Sequence, residues 1–209
     1  MKLEGIEQDI KTRIIQALID EYSKNGYSGA STNMIVKQAG ISKGSLFNYI
    51  GNKEEQYIFI VDYVMQFFIE TLSKSMIDIQ LPGDYFDQLL LKSQIKLQLA
   101  LEYPKEYKLL LDAYLEPAEE VKKYMASQYA IFSKTTMLKG SENFDAKLLK
   151  TPEDKEKLIE IVFHLISGYS DSYIKNCDTL TIEAIPGALE EMTRELDTYF
   201  KALKRAFFK

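Results

Sequence analysis

The sequence has little of the residue types on which most catalytic and metal-binding sites depend. Its 209 residues include one cysteine, Cys177, and one histidine, His164. A lone cysteine cannot form a disulfide within its own chain, which predicts a reducing, cytoplasmic setting. One histidine and one cysteine exclude most metal sites and nucleophile–base pairs, and no glycine-rich phosphate loop or nucleophile elbow occurs. We therefore expect no catalytic residue, no metal and no cofactor.

Glycine and proline are also scarce, and long apolar runs are missing. Ten glycines and five prolines in a chain of this length favour helices over many short strands. The longest apolar run, from Tyr57 to Ile69, is interrupted by Asp62 and Gln66 and falls short of the roughly 18 apolar residues that span a bilayer. With 46% hydrophobic and 27% charged residues, the chain can bury a sizeable core. These totals predict an all-α globular protein without a membrane segment.

The net charge of −5 is unevenly distributed along the chain. Residues 1–55 contain seven cations and seven anions, so the remainder carries the whole negative excess. A surface that binds nucleic acid is normally basic. Charge alone therefore permits a nucleic-acid-binding N-terminal unit but indicates it only weakly.

Apolar periodicity and capping residues divide the chain into about nine helices. Thr32, Ser42, Asn52 and Asp84 can each accept a backbone N–H at a helix start, and Gly40 can take the left-handed conformation that ends a helix. The expected helices cover 6–26, 32–39, 43–50, 53–79, 85–102, 104–115, 117–136, 152–176 and a last helix that begins between 182 and 186.

The most informative segment is Ser31–Tyr57, which reads STNMIVKQAGISKGSLFNYIGNKEEQY. It predicts two short helices that meet at a tight turn, with Leu46 and Ile50 packing the second helix inward. The outward residues form a surface small enough to enter a major groove about 12 Å wide: Lys43, Gly44, Ser45, Phe47, Asn48 and Tyr49. This segment resembles the DNA-binding signature of the TetR family of bacterial repressors, and the resemblance extends over about residues 6–60.

The resemblance implies an N-terminal three-helix helix-turn-helix domain, residues 1–52, that binds double-stranded DNA. Tyr49 and Lys53 would bind phosphates, and Thr32 would both cap its helix and reach a phosphate. Gly44 lets the backbone approach closely. The positions that would meet base edges or neighbouring phosphates are Lys43, Ser45, Phe47 and Asn48. The family usually has tyrosine where this chain has Phe47, so the side chain here lacks the tyrosine hydroxyl. The recognition helix also carries a single lysine, which predicts modest affinity for DNA. The expected DNA-binding residues are Thr32, Lys43, Gly44, Ser45, Phe47, Asn48, Tyr49 and Lys53.

The resemblance also implies that residues 53–209 form a helical effector-binding and dimerisation domain. The last two long helices have apolar stripes, which predict a four-helix bundle between two chains. The expected homodimer interface comprises Leu158, Ile161, Val162, Leu165, Gly168, Tyr169, Leu189, Met192, Leu196, Tyr199, Phe200 and Leu203. An alternative is that both stripes are buried within one chain.

Many aromatic residues in this region predict a pocket for a small apolar or aromatic effector. The expected effector-binding residues are Phe67, Phe86, Tyr107, Tyr114, Tyr129, Phe132, Phe163 and His164. Aromatic residues at helical spacing are also typical of an ordinary core. The predicted function is a ligand-responsive regulator, a repressor released from a near-palindromic operator when the effector binds. The alternatives are a helical interaction module without DNA binding and an enzyme.

Overall fold

The computed structural model describes residues 3, 5–77, 84–115, 117–141, 144–175 and 181–209. Over these residues the chain is helical and has no strand, which confirms the predicted all-α class; Leu149 and Phe208 form an isolated antiparallel bridge. Cys177 and the side chain of Phe132 lie outside the described residues. The nine described α-helices are α1 Gln8–Gly29, α2 Thr32–Ala39, α3 Lys43–Tyr49, α4 Lys53–Ile77, α5 Tyr85–Glu102, α6 Pro104–Leu115, α7 Lys122–Ser141, α8 Lys155–Lys175 and α9 Ile185–Phe207.

Several helix boundaries differ from those predicted. Gly26 interrupts the first helix as predicted, because its backbone is non-helical there (φ 62°, ψ −177°), and a further short helical segment continues to Gly29. The helix predicted from residue 117 begins at Lys122, since the N–H of Val121 closes a turn onto the carbonyl of Ala118. The helix predicted from residue 152 starts as a 3-10 turn, and α8 begins three residues later.

The first compact unit consists of Met1–Thr71 and Tyr103–Ser127. In it α1 packs against both α2 and α6. Ile14, Leu18, Ile35 and Leu46 are fully buried and join α1, α2 and α3 in one core. Burial of this apolar area stabilises a helix as short as α3, which would be marginal in isolation.

The second compact unit consists of Leu72–Glu102 and Gln128–Lys209. Its α5 packs against α9, and α8 also contacts α9. Much of the core is aromatic: Tyr85 stacks on Phe144 with ring centroids 4.9 Å apart, and Phe86 lies 5.1 Å from Phe200 and 5.6 Å from Phe208. The domain boundary at residues 52 and 53 stays a prediction.

None of the helices in the described part of the chain combines the length and the apolar character needed to cross a membrane.

Candidate DNA-binding surface

The turn between α2 and α3 is fixed by Gly40, which adopts φ 66° and ψ 36° in the left-handed region. A residue with a Cβ is disfavoured there. The N–H of Ile41 donates to the carbonyl of Val36 at 3.1 Å, which closes the end of α2. From α1, Nη1 of Arg13 donates to the carbonyl of Ala39 at 2.6 Å. The helix end is therefore held both locally and by a side chain 26 residues away.

The start of α3 is capped by Ser42, as predicted. Its Oγ accepts the N–H of Ser45 at 3.0 Å, which satisfies one of the free amides of the first turn. Leu46 is fully buried and Ile50 is 3% exposed, so both anchor the helix in the core of the first unit. The opposite side of α3 is thereby left facing solvent.

The exposed side of α3 presents Lys43, Gly44, Phe47 and Asn48 together. The Phe47 side chain is 40% exposed, and Nζ of Lys43 lies 6.0 Å from its ring centroid. A large apolar ring held in water beside a cation is suited to contacting a base edge or a sugar. The structure thus brings four of the eight predicted DNA-binding residues onto one open surface.

Two other predicted residues of α3 are less accessible. Ser45 is half-buried, and its Oγ lies 2.8 Å from Oγ of Ser42, so its hydroxyl is already engaged in the cap. Tyr49 is half-buried at the last position of the helix. Both remain next to the exposed surface, and the Ser45 hydroxyl keeps capacity for a further hydrogen bond beside the one it shares with Ser42.

The start of α2 differs from the sequence prediction, because Thr32 is not its capping residue. The N-cap is Ser31, which makes no side-chain capping bond. Oε1 of Glu21 instead accepts the N–H of Ser31 at 2.8 Å and Nδ2 of Asn25 at 3.0 Å. Glu21 is 6% exposed. A buried carboxylate on α1 therefore positions the first turn of α2, where Thr32 lies half-buried.

The sequence prediction does not include Glu21, although the sequence carries a signal for its burial. It lies three residues after Leu18 and four after Ala17, which places it on the apolar stripe of α1. A charged residue at such a position is buried only if it has partners. What the sequence could not show is that one partner lies ten residues further along the chain.

Lys53, predicted to bind a phosphate, begins α4 and holds two parts of the first unit together. Its Nζ donates to the carbonyl of Ser28 at 3.1 Å and lies 5.3 Å from the ring centroid of Tyr27. The carbonyl of Lys53 accepts the hydroxyl of Tyr22 at 3.2 Å. An ammonium has three donors, so binding to Ser28 leaves others for a phosphate.

Asn52 caps the helix that follows Gly51, as predicted, and Glu55 completes a capping box. The side chain of Asn52 accepts the N–H of Glu55 at 2.9 Å, and that of Glu55 accepts the N–H of Asn52 at 2.9 Å. Gly51 has φ 114°, and a Cβ there would overlap the Glu55 carboxylate. The positive φ therefore favours glycine at this position, and a Cβ would also displace the Glu55 carboxylate from its capping bond.

One carboxylate on α4 of the first unit is unusually placed. Burial raises the pKa of Asp62 above its ordinary value, and the hydrogen bond from the Tyr124 hydroxyl partly opposes that rise. The two oxygens are 2.7 Å apart. Burial and the same bond raise the pKa of Tyr124 to about 12, so the tyrosine remains the donor at neutral pH.

The predicted effector-binding residues fall into several groups. Phe67 and Tyr107 share an aromatic cluster of the first unit with Phe68 and Tyr103; the ring centroids of Phe67 and Tyr103 are 4.8 Å apart and those of Phe68 and Tyr107 are 5.9 Å apart. Tyr114, also in the first unit, interacts electrostatically with Asp62. These three predicted residues therefore belong to one unit, on α4 and α6.

The other predicted effector residues lie in the second unit. Phe86 is 2% exposed and belongs to the core of that unit, so it does not line an open recess in this structure. Tyr129 is 37% exposed on α7. Phe163 and His164 are neighbours on α8 with ring centroids 5.5 Å apart.

The twelve residues predicted for the dimer interface divide by burial. Leu158, Val162, Leu196 and Phe200 are at most 3% exposed and pack in the core of their own unit, as the single-chain alternative required. Ile161 and Tyr199 are 41% and 43% exposed, and Gly168 is also exposed. The partly buried residues are Leu165, Tyr169, Leu189, Met192 and Leu203. Apolar periodicity identified the stripes but could not separate the inner side from the outer side.

Comparison with known proteins agrees with this geometry. Residues 14–55 match the family model "Bacterial regulatory proteins, tetR family". The "Fatty acid metabolism regulator protein" of Bacillus subtilis (strain 168) is 30% identical over 98 residues, which cover 47% of this chain and 44% of that protein. The "Biofilm operon icaADBC HTH-type negative transcriptional regulator IcaR" of Staphylococcus epidermidis is 35% identical over 66 residues, 32% of this chain and 36% of the relative.

The matched part thus spans less than half the length of either curated relative. Among solved structures, AibR in complex with isovaleryl coenzyme A and operator DNA has a TM-score of 0.57 at 18% identity, covering 89% of this chain and 96% of that one. This likeness concerns the fold. The match covers residues 14–55, which include the whole of α2 and α3, and it assigns this segment to the bacterial tetR family of regulatory proteins.

Proposed function

We propose that the protein is a transcriptional repressor that binds a near-palindromic operator as a homodimer and leaves it when a small molecule binds. The observation that carries the DNA-binding part is the open side of α3, where Lys43, Phe47 and Asn48 project from a helix anchored by Leu46. Asparagine can form a bidentate pair with adenine, and lysine binds guanine or phosphate. The negative regulator among the relatives supports the repressor sign.

Selection of bound duplexes from a random DNA pool tests this proposal. We expect a consensus with two inverted half-sites, centred roughly 34–36 Å apart as the two recognition helices of a dimer require. Asn48→Ala should then weaken binding by about 1–3 kcal/mol and relax preference at one base pair of each half-site. Lys24→Ala, a change at an exposed lysine of α1, is the matched control. No enrichment from the pool would instead favour an interaction module without DNA binding.

The phosphate-binding role of Lys53 needs a separate readout, because its ammonium also holds Ser28. Lys53→Ala should weaken binding to all duplexes alike and reduce the dependence of affinity on salt, since each phosphate contact contributes a slope of about −0.9. Unchanged salt dependence together with lower stability would assign Lys53 a purely structural role.

Homodimerisation is proposed through the outer sides of α8 and α9. Ile161 and Tyr199 are large apolar residues exposed in the single chain, and the rings of Tyr169 and Tyr199 lie 6.2 Å apart, so the two helices present one continuous side. Exposed Gly168 would let a second helix approach closely. Burial of such residues in a four-helix bundle is a common way to form a dimer.

Sedimentation of the full chain tests the dimer. Ile161→Asp combined with Tyr199→Asp should shift the protein to monomers and abolish cooperative binding to the operator. Thr198→Asp adds a charge at an exposed position rotated by about 100° around α9 and should leave the dimer intact. A monomeric wild-type chain at micromolar concentration would remove this part of the proposal.

For the effector we propose a molecule with an acyl chain. Two related proteins support this class: one is named a fatty acid metabolism regulator, and AibR binds isovaleryl coenzyme A. In this chain the aromatic cluster of Phe67, Phe68, Tyr103 and Tyr107 offers apolar surface suited to such a chain. A ligand that releases DNA must bind the DNA-free state more tightly.

Titration of the protein–operator complex with fatty acids and their coenzyme A thioesters of increasing length tests the effector class. We expect release at micromolar concentration for a limited range of lengths, and Phe67→Ala should shift that range. Phe59→Ala, which alters a half-buried ring earlier on the same helix, is the control. Release by none of these compounds would reject the acyl class while leaving DNA binding unaffected.

A further inference from the structure

A recess of about 820 Å³ lies in the second unit, where the segment before α8 meets the end of α9. The backbones of the two parts are joined, because the N–H of Lys150 donates to the carbonyl of Phe207 at 2.8 Å and that of Lys209 to the carbonyl of Leu148 at 3.1 Å. The volume falls within the usual range of small-molecule sites, roughly 300–1,000 Å³. None of the predicted DNA-binding or effector-binding residues lines it.

The lining of this recess is strongly basic. Its cationic side chains are Lys147, Lys150, Lys204, Arg205 and Lys209, against the single carboxylate side chain of Asp84. The chain as a whole carries a net charge of −5, so its overall charge does not account for a cluster of five cations. Like charges this close repel one another, and a bound anion would relieve that repulsion.

Internal ion pairs neutralise only one of the five. Nζ of Lys204 lies 2.6 Å from Oδ2 of Asp84 and 3.9 Å from Oδ2 of Asp87. Among the ion pairs found within the described ranges, none involves the other four cations. The recess therefore retains a net positive charge.

Backbone carbonyls position two of the ammonium groups without neutralising them. Nζ of Lys150 donates to the carbonyls of Arg205 and Ala206 at 3.0 and 3.2 Å, and Nζ of Lys209 donates to the carbonyl of Lys147 at 2.9 Å. Each ammonium keeps at least one further donor. Attraction to the negative end of the α9 dipole explains cations in its last turn, but that end amounts to only about half a charge.

The floor of the recess adds apolar surface to this charge. Leu148 is 39% exposed, and Phe208 also lines the recess. A ligand that suits both features has anionic groups for the lysines and an organic part for Leu148 and Phe208. Clustered lysine and arginine side chains bind phosphate well, and the net positive charge of the recess suits a ligand with more than one phosphate.

We propose that this recess binds a small organic molecule with two linked phosphates, such as a nucleoside diphosphate or a coenzyme with a diphosphate bridge. The ligand bridges the segment 144–150 and the end of α9, and so stabilises the second unit. The proposal is independent of DNA binding by the first unit and of the acyl effector.

Calorimetric titration of the full-length protein with pyrophosphate, ADP and coenzyme A tests the site. We expect all three to bind in competition at low salt, with the two organic ligands tighter than pyrophosphate because of the apolar floor. The double variant Lys147→Gln/Arg205→Gln should weaken each by at least about tenfold, since charge-assisted bonds are lost. Lys147→Gln alone should give a smaller loss if the double variant folds poorly.

Lys201→Gln is the matched control, because Lys201 is an exposed lysine on the same helix that pairs with Asp197 at 2.6 Å outside the recess. It should leave all three affinities unchanged. Absence of binding at millimolar ligand, or equal losses in the control, would overturn the proposal. Displacement of pyrophosphate by random-sequence DNA through Lys147 and Arg205 would also overturn it, by making the recess a nucleic-acid contact.

Discussion

Replacing Glu21 by alanine is expected to destabilise the protein and loosen the start of α2. In the wild-type structure Oε1 of this buried carboxylate accepts hydrogen bonds from the backbone of Ser31 and the side chain of Asn25. Alanine leaves the Ser31 N–H without an acceptor in a partly buried position. The first turn of α2, which contains Thr32, then loses the hydrogen bond that links the start of this helix to Glu21 of α1.

The magnitude follows from the two bonds. A hydrogen bond to a charged group contributes about 1.5–3 kcal/mol, and a buried donor without a partner costs about 1–3 kcal/mol. Because Asn25 is exposed and can bond to water, we count chiefly the bond to Ser31 and expect a loss of about 2–3 kcal/mol. For a chain of 209 residues this corresponds to a Tm lower by roughly 4–12 °C.

Urea unfolding followed by circular dichroism measures this loss, and a graded series makes the test sharper. Glu21→Gln keeps an oxygen that can accept the Ser31 N–H, so it should lose less stability than Glu21→Ala. Glu7→Ala, a change at an exposed glutamate whose side chain makes no capping bond, should have no effect beyond about 0.5 kcal/mol. Equal stability of Glu21→Ala and Glu7→Ala would refute the reasoning.

Three further changes test other parts of the first unit. Leu46→Ala should cost about 2–5 kcal/mol in urea unfolding and abolish operator binding, because Leu46 is the fully buried residue of α3 that anchors this helix in the core of the first unit. Gly51→Ala should cost about 1 kcal/mol or more by the same assay, because φ is 114° and Glu55 occupies the space. Because folding raises the pKa of Asp62, protonation of this carboxyl stabilises the folded state. This contribution is fully present at pH values below the ordinary aspartate pKa, and it is lost as the pH rises through the pKa that Asp62 has in the folded protein. Asp62→Asn, which can still accept from Tyr124, should therefore be more stable than wild type at neutral pH, and this advantage should vanish in acid; a constant difference across pH would contradict the assignment.

The parts of the fold that the sequence predicted are those set by nearby residues. Ser42 caps α3 through an amide three residues away, and Asn52 and Glu55 cap α4 reciprocally. Gly40 ends α2 by its own backbone conformation. Such interactions depend on the spacing of residues along the chain, which the sequence alone shows.

What could not be predicted depends on contacts between distant positions. The bond from Arg13 to Ala39 spans 26 residues and that from Lys53 to Ser28 spans 25. In the last two helices, Leu158 and Ile161 belong to the same apolar stripe, but one is fully buried and the other is 41% exposed. Periodicity shows that a side is apolar, and only packing shows which neighbour covers it.

These long-range hydrogen bonds also bear on how the binding of an effector could change DNA binding. The α3 helix is seven residues long and cannot hold its geometry alone, so its position depends on the packing around it. The α4 helix begins at Lys53, whose side chain holds Ser28 and whose carbonyl holds Tyr22. A displacement of the start of α4 must break these two bonds or move α1 and the α1–α2 connection with it. Under the proposed function, an effector that displaces α4 from within the first unit would therefore act on α1 through those two bonds.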